Sequence, residues 1–190
     1  MDGSRRLSQA IAEGDGISVL VEVADVAAAQ AAEDQGAEGL VVRGQAGSIR
    51  EASDLPVLGY GRAEELGGID AVVVDGSNGH DELAVLIEAV HARGLECVLR
   101  VGDEDDLEEV LELVDPEILL LSAVDAEDGQ SPLERLLELL PDVPAGKLAI
   151  AELAGASRED VLELERAGVD AVIVSGSDVG SLVGDTLPDL

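Results

Sequence analysis

The sequence predicts an α/β fold, a compact closed barrel of eight parallel strands that alternate with shortened helices. Short Val/Ile/Leu runs recur eight times, beginning near residues 17, 38, 55, 70, 95, 117, 148 and 170. Continuous β-branched runs are typical of parallel strands buried on both faces. Their mean spacing of about 22 residues fits one strand plus one short helix. This pattern is that of a (β/α)8 barrel, or TIM barrel.

The length favours one domain. A chain of 190 residues can bury a single stable core, although about 250 residues is typical of this barrel. We expect residues 1–190 to form one barrel domain, with 1–15 as an N-terminal extension that contains a short helix. An open, doubly wound sheet is the alternative. Such sheets usually have five or six strands and often a Gly-rich first turn, whereas "ADVAAAQ" follows the first predicted strand.

Three repeats define the strand units most clearly. They are "QGAEGLVV" at 35–42, "LGGIDAVVV" at 66–74 and "RAGVDAVIV" at 166–174. In each we expect Gly to end a helix, because glycine adopts the left-handed conformation there without a Cβ penalty. The other strands are predicted in "ISVLVEV", "LPVLGYG", "LECVLRV", "PEILLLS" and "LAIAEL".

Apolar residues at helical spacing predict the longer helices. The stripes are Leu83/Leu86/Ile87/Val90, Leu107/Val110/Leu111/Val114 and Leu133/Leu136/Leu137/Leu140. Ser131, Pro132 and Glu134 predict a capped helix start. Ser157 predicts another, for a helix with Val161, Leu164 and Ala167 facing inward. The acidic runs fall on the remaining positions, and we interpret them as solvated helix faces.

The second, third and last helices are predicted to be short. Only "GSIREAS" and "RAEELGG" are available for the second and third, and little chain follows the eighth strand. Short helices leave barrel surface uncovered. We expect the N-terminal segment 4–13 or a neighbouring chain to cover some of it, which makes a homo-oligomer one of the two predicted outcomes.

Charge and cysteine content narrow the classes of partner. The chain has 42 acidic and 11 basic residues, so its field repels polyanions, and we expect neither nucleic acid nor an anionic membrane as a partner. Cys97 is the single cysteine, which excludes an intrachain disulfide and a Cys-x-x-Cys metal cluster. No apolar run is long enough for a signal peptide or a membrane span. We therefore expect a soluble, cytoplasmic protein.

The loops after the last two strands predict an anion site. In these barrels phosphate commonly binds at the loops after strands seven and eight. "LAGAS" follows the seventh predicted strand and "SGSDVGS" the eighth. Glycines let backbone N–H groups approach an anion. Gly155, Ala156, Gly176 and Ser177 are therefore the phosphate candidates, with a small phosphorylated metabolite or inorganic phosphate as the partner. Simple turn formation is the alternative explanation of these residues.

The second half resembles a known enzyme family. "GLECVLRVGDEDDLEEVLELVDPEILLLSAVD" resembles the fifth and sixth units of indole-3-glycerol phosphate synthase, and "LAIAELAGASREDVLELERAGVDAVIVSGS" its seventh and eighth. "SDLPVLGYG" resembles the third strand, so that the likeness covers roughly residues 17–180. The resemblance implies an enzyme that closes an indole ring on a ribulose-phosphate anthranilate, with loss of CO2 and water and without a cofactor.

Only some of the catalytic residues that the resemblance implies are present in this sequence. Glu22 and Glu152 match the family's first-strand and seventh-strand Glu, but its two Lys positions fall at Ala24 and Tyr60. The other replacements are Arg100 for the fifth-strand Glu, Ser122 for the sixth-strand Asn, and Leu153 for the Ser after the seventh-strand Glu. The catalytic candidates are Glu22, Glu152, Tyr60 and Arg100. Tyr60 would need a lowered pKa to donate a proton, and the pKa of Arg100 is far above working pH.

Further polar residues have two interpretations each. Arg43, Arg62 and Arg100 would hold an anionic substrate or neutralise nearby carboxylates. Asp75, Asn78 and Asp125 offer oxygen ligands for Mg²⁺, but turn and capping roles explain them better, so we predict no metal site. We expect Cys97 in the core. His80 and His91 have no partner that suggests chemistry, and His91 fits a helix C-terminus.

These residues predict a minimal barrel that resembles indole-3-glycerol phosphate synthase, binds a small phosphorylated ligand and has lost the usual lyase activity. Three alternatives stay open. One is an active synthase of tryptophan biosynthesis with a relocated acid and base. The second is an enzyme for a different sugar phosphate. The third is a structural scaffold without a ligand.

Overall fold

Eight parallel strands pair in chain order and close into a barrel, with the eighth strand beside the first. The structure is a computed structural model that describes residues 5–123, 129–176 and 178–182. The strands are β1 Ser18–Glu22, β2 Gly39–Val42, β3 Val57–Tyr60, β4 Ala71–Asp75, β5 Glu96–Val101, β6 Ile118–Ser122, β7 Leu148–Glu152 and β8 Ala171–Ser175. All eight predicted strands are confirmed, and the open sheet is excluded.

Seven α-helices accompany these strands within the described residues. They are α1 Arg6–Glu13, α2 Val26–Asp34, α3 Gly47–Ala52, α4 His80–Ala92, α5 Glu104–Leu113, α6 Pro132–Leu139 and α7 Arg158–Ala167. Two 3-10 turns, Leu140–Asp142 and Val179–Ser181, complete the elements. Within the described ranges, no helix has the length and apolar content needed to cross a membrane.

The predicted helix starts are formed as the sequence indicates. The Ser131 and Ser157 side chains each accept a hydrogen bond from the backbone N–H three residues later. In return, the carboxylates of Glu134 and Asp160 accept hydrogen bonds from the backbone N–H groups of these two serines. Gly168 ends α7 at φ 100°, a left-handed conformation that favours glycine. The sequence predicts that Ala167 faces inward, and this prediction is wrong. Ala167 is exposed because it is the last residue of α7, beyond the buried Val161 and Leu164.

The third unit departs further from the repeat. The sequence predicts that the Gly pair of "LGGIDAVVV" ends a helix, but the described residues 61–70 contain turns and no helix. Gly68 still has a positive φ of 78°, and an added Cβ would lie 3.1 Å from the backbone of Ala46. The glycine is thus required by a close approach of two loops rather than by a helix end.

Alternation along the strands separates two apolar layers. One set of strand residues faces the surrounding helices, and the other fills the barrel interior. The interior set is Leu20, Val41, Leu58, Val73, Val98, Leu120, Ile150 and Ile173, with Ala71, Ile118 and Ala171 below them. The carboxyl ends of the strands form one rim of this core, which we call the mouth, and the amino ends form the floor.

Helix α1 closes the floor. Leu7 and Ile11 are buried with the interior residues. The Leu7 backbone N–H donates to Glu96 at 2.7 Å, and Arg6 pairs with Asp70 at 3.3 Å, so α1 is attached to the starts of β4 and β5. The N-terminal segment therefore covers the end of the barrel. Its described residues, from Arg5 onward, do not line the groove beside the short third unit.

Truncating Leu7 tests this role of α1. Leu7→Ala leaves a cavity between α1 and the barrel interior, so the free energy of unfolding should fall by about 2–5 kcal/mol. Gln9→Ala on the exposed face of α1 is the control, with an expected change within about 0.5 kcal/mol. Urea denaturation measures both. Equal effects of the two variants would contradict the buried position of Leu7.

Candidate functional site

A ring of eight polar side chains covers the barrel interior at the mouth. Each member lies two residues after an interior residue of its own strand, so alternation directs it to the same side. One member comes from each of the eight units, and we call the set the polar ring. Its members are Glu22, Arg43, Tyr60, Asp75, Arg100, Ser122, Glu152 and Ser175.

Glu152 on β7 connects the ring. Its carboxylate accepts hydrogen bonds from Tyr60 at 2.9 Å, from Ser122 at 3.2 Å and from Arg43 at 3.4 Å. Arg100 Nε lies 3.5 Å from the other side of this carboxylate as an ion pair. Glu152 is only 19% exposed, so these contacts act in a partly desolvated site, where hydrogen bonds to a charged group are stronger than in water.

Two arcs of the ring meet at Glu152. On one side Arg43 holds Glu22 through two contacts of 2.8 and 3.2 Å, and Ser175 Oγ donates to Glu22 at 3.3 Å. The Arg43 guanidinium also lies 4.3 Å from the centre of the Tyr60 ring, a cation–π contact. This arc includes side chains from the ends of β8, β1, β2 and β3.

The second arc is built around Arg100. Its guanidinium donates to Asp75 and to Ser122, both at 3.1 Å, and so joins the ends of β4, β5 and β6. Asp75 also accepts from the backbone N–H and the hydroxyl of Ser77. The Arg100 side chain therefore neutralises carboxylates, and Asp75 has the turn role that the sequence favoured.

The ring shifts two ionisation equilibria in opposite directions. The hydrogen bonds from Arg43 hold the pKa of Glu22 below its ordinary value. Burial, followed by the adjacent Glu152 carboxylate, raises the pKa of Tyr60 above its ordinary value. The condition under which Tyr60 would serve as a proton donor, a lowered pKa, is not met.

The loops after β7 and β8 lie side by side. Leu153 N–H donates to Ile173 at 3.0 Å, and Ser175 N–H donates to Ala154 at 2.9 Å, which places Gly155 and Gly176 next to this pair. Gly176 has a φ of 139°, and a Cβ added at either glycine would meet nothing within 4 Å. The space above both glycines is therefore open.

Only part of the predicted anion site has free donors. The amides of Gly155 and Gly176 donate no hydrogen bond within the described residues, whereas Ala156 N–H already donates to Leu153 at 3.1 Å. A cavity of about 460 Å³ lies beside the neighbouring strand ends, and Glu22, Ala24, Arg43 and Ser175 line it. Ser177, the fourth candidate, lies outside the described residues.

The remaining candidates take structural positions. His80 and His91 are exposed on α4, and Cys97 is largely buried, which raises the pKa of its thiol to about 12. In the described ranges, no group of three or more His, Cys, Asp or Glu side chains could hold a metal ion. Asp125, one of the weighed Mg²⁺ ligands, lies outside these ranges.

Sequence reasoning found Glu22, Tyr60, Arg100 and Glu152 but assigned no site role to Ser175. Its signal was available, because Ser175 follows the buried Ile173 at the same two-residue interval as every other ring member. The sequence also offered Arg43 as an anion ligand or a neutralising group. In the structure it pairs with two carboxylates.

The sequence of the chain matches curated enzymes. A Geobacillus indole-3-glycerol phosphate synthase is 28% identical over 176 residues, which are 80% of this chain and 66% of the relative. The Variovorax paradoxus enzyme of the same name is 33% identical over 135 residues, 66% of this chain and 50% of the relative. The chain is similar to indole-3-glycerol phosphate synthase. It spans about two thirds and one half of these two relatives, respectively.

Solved structures agree on the fold alone. N-acetylmannosamine-6-phosphate 2-epimerase from Clostridium perfringens superposes with a TM-score of 0.67 at 18% identity, covering 84% of this chain and 86% of that one. Thiamine phosphate pyrophosphorylase from Pyrococcus furiosus gives 0.63 at 16% identity, with 87% and 90% covered. No protein-family profile matches the chain.

The residue correspondence that the sequence resemblance implies involves the polar ring. Glu22 and Glu152, the two positions that the resemblance matches, are both ring members, and both are paired with Arg43. Tyr60, Arg100 and Ser122 occupy ring positions where the resemblance implies Lys, Glu and Asn. The exposed Ala24, at the edge of the mouth cavity, falls where it implies the other Lys. The replacements therefore fall in the ring and beside it.

Tyrosine absorbance offers a direct test of the ring. Tyr60 is the only tyrosine and the chain has no tryptophan, so absorbance near 295 nm reports this one phenol. Its ionisation should begin only above its ordinary pKa of 10.0. Because the unfolded chain releases this proton first, stability should also fall as pH rises above that value. Glu152→Gln should lower the pKa by removing the adjacent charge, whereas Glu163→Gln, an exposed control, should not. A phenol with an unshifted pKa in the folded protein would contradict the contact.

Proposed function

We propose that this barrel binds a small phosphorylated ligand at its mouth and has lost the lyase reaction of the synthases that it resembles. The single observation that carries the binding half is the pair of adjacent loops after β7 and β8. They offer the free amides of Gly155 and Gly176 beneath open space. Backbone N–H groups in such loops suit phosphate, which needs several donors at one point.

The ligand would extend from these glycines toward the mouth cavity. Ser175 lines that cavity and directly precedes Gly176, so phosphate bound at the loops would lie at its edge. Arg43 reaches the same cavity and is half exposed, so one face of its guanidinium is open to a polar ligand. The single cysteine fits a metabolite of a reducing compartment as this ligand.

The loss of lyase chemistry follows from the groups that the mouth offers. General acid catalysis needs a group that can give up a proton near working pH. A guanidinium such as that of Arg100 is a poor general acid, and burial raises the pKa of Tyr60. Lys147, the only lysine of the chain, precedes β7 at the floor and pairs there with Asp115. The residues of the mouth thus bind more readily than they transfer protons.

A phosphate titration tests the binding half. In ¹⁵N spectra, inorganic phosphate and ribose 5-phosphate should shift the amide resonances of Gly155 and Gly176 first. Gly155→Asp places a carboxylate in the open space without a steric clash and should weaken binding by more than about tenfold. Gly79→Asp is the matched control. It adds the same charge beside β4, where a Cβ also meets nothing, and binding should be unchanged.

The two halves of the proposal fail separately. If phosphate caused no shift, or if both Asp variants weakened binding equally, the anion site would be refuted. Incubation with the ribulose-phosphate anthranilate should produce no indole fluorescence. Indole formed at a rate above that of the buffer blank would refute the loss of activity and restore the active synthase.

A further inference from the structure

The outer wall of the barrel is incomplete beside α4. The described residues 61–70 contain no helix, so the slot between the short third unit and α4 has no helical cover. A groove of about 290 Å³ lies there, with Val72, Val74, Leu86 and Ala89 among its lining residues. In a typical (β/α)8 barrel, an outer ring of helices covers the strands.

Helix α4 presents an apolar stripe next to this groove. Val85 is 65% exposed, and the only other large exposed hydrophobic residue in the described part of the chain is Leu162 at 36%. Leu86 and Ala89 lie at the adjacent helical positions and are half-buried. Leu83, Ile87 and Val90 form the buried face of α4, which lies to one side of this stripe. The stripe is therefore additional to the face that packs on the barrel.

Charged residues stand at both ends of the stripe. Glu82 lies in the first turn of α4, and Arg93 directly follows its last residue. Both are on the stripe's face, at i and i+11, with Val85, Leu86 and Ala89 at i+3, i+4 and i+7. Neither makes an ion pair within the described ranges, and Arg93 only donates to the Leu66 carbonyl at 3.3 Å. We call these five residues the α4 stripe.

This order of charges is self-complementary. When two identical helices pack antiparallel, the N-terminal end of each faces the C-terminal end of the other. Glu82 would then lie opposite Arg93 of the partner subunit, and Leu86 opposite the partner's Ala89. A twofold interface requires a surface that matches itself in this way. Small and branched side chains at the centre permit the 8–10 Å separation of packed helices.

We propose that two copies of this chain associate through the α4 stripe. The partner's α4 would lie over the groove beside β4, where no helix follows β3. The occupant is a second copy because the stripe carries its own complementary charges. A helix of unrelated sequence would match them only by chance. The proposal does not depend on ligand binding at the mouth.

Salt should control this association. The formal net charge of each copy is −31, so two copies repel at low ionic strength. Salt screens this repulsion over about 10 Å at 0.1 M and about 3 Å at 1 M. The contact between Glu82 and Arg93 of the partner subunit is short and bordered by apolar side chains, so it is screened less. Dimers should therefore form in molar KCl and dissociate at low salt.

Light scattering coupled to size exclusion, with sedimentation equilibrium, tests the interface in about 1 M KCl. The wild-type chain should be a dimer, and Val85→Asp should raise the dimer dissociation constant by more than about tenfold. Val85 is exposed in the monomer, so this change leaves the core intact, which circular dichroism can verify. Leu162→Asp is the matched control and should remain a dimer, because Leu162 is the other large hydrophobic residue exposed in the described part of the chain.

Charge exchange separates this arrangement from any other dimer. Glu82→Arg alone and Arg93→Glu alone should each weaken the dimer, whereas the double variant should recover most of the wild-type affinity. A wild-type chain that stays monomeric at millimolar concentration in molar KCl would overturn the proposal. A dimer equally affected by Leu162→Asp and Val85→Asp, or a double variant as weak as the single ones, would also overturn it.

Discussion

The contacts of the Glu152 carboxylate are the constraint on which the mouth of this barrel depends. Eight parallel strands end around one apolar interior, and each contributes one polar side chain directly above it. Polar groups in such a partly desolvated layer must be paired, because an unpaired one costs more than its bond would gain. Of the described side-chain contacts in the ring, those of Glu152 alone connect the arc of β8, β1, β2 and β3 with the arc of β4, β5 and β6.

The same pairing limits the chemistry. Three carboxylates and two guanidinium groups nearly balance in the ring, so it has little charge left over with which to attract a ligand. Proton transfer is limited too, because each candidate acid or base already has a partner. Within the described residues, the amides of Gly155 and Gly176 lie just outside the ring and donate no hydrogen bond. This division between a paired ring and unpaired loop amides is the physical basis of the proposal that the barrel binds a ligand without the usual reaction.

The periodic pattern of apolar residues in the sequence is sufficient to predict most of the fold. Buried Val and Ile runs specify parallel strands by themselves, and Ser131 and Ser157 specify helix starts through local hydrogen bonds. The missing helix of the third unit was harder to predict. "RAEELGG" has helix-forming residues, but Ala63 and Leu66 are buried in a turn that packs toward Gly59 of the neighbouring strand. That packing is tertiary, and a local pattern does not contain it.

The site was predictable residue by residue but not as a network. Strand alternation places Glu22 and Glu152 at the mouth, yet Arg43 joins them only because barrel closure brings β8 beside β1 and β7 close behind. Arg100 likewise finds Asp75 and Ser122 on the two neighbouring strands. Which arginine neutralises which carboxylate is a property of the closed ring. The residues of the polar ring could therefore be predicted from the sequence, but their pairing depends on the order of the strands in the closed barrel.

The most direct measurement is the free energy of unfolding of Glu152→Ala in urea at a fixed, high KCl concentration, compared with Glu163→Ala on the exposed face of α7. If Glu152 connects the two arcs, its loss leaves Arg43 and Arg100 short of a shared carboxylate, and stability should fall by about 3 kcal/mol. The Glu163 control should change by less than about 0.5 kcal/mol. A Glu152 variant as stable as that control would contradict the account.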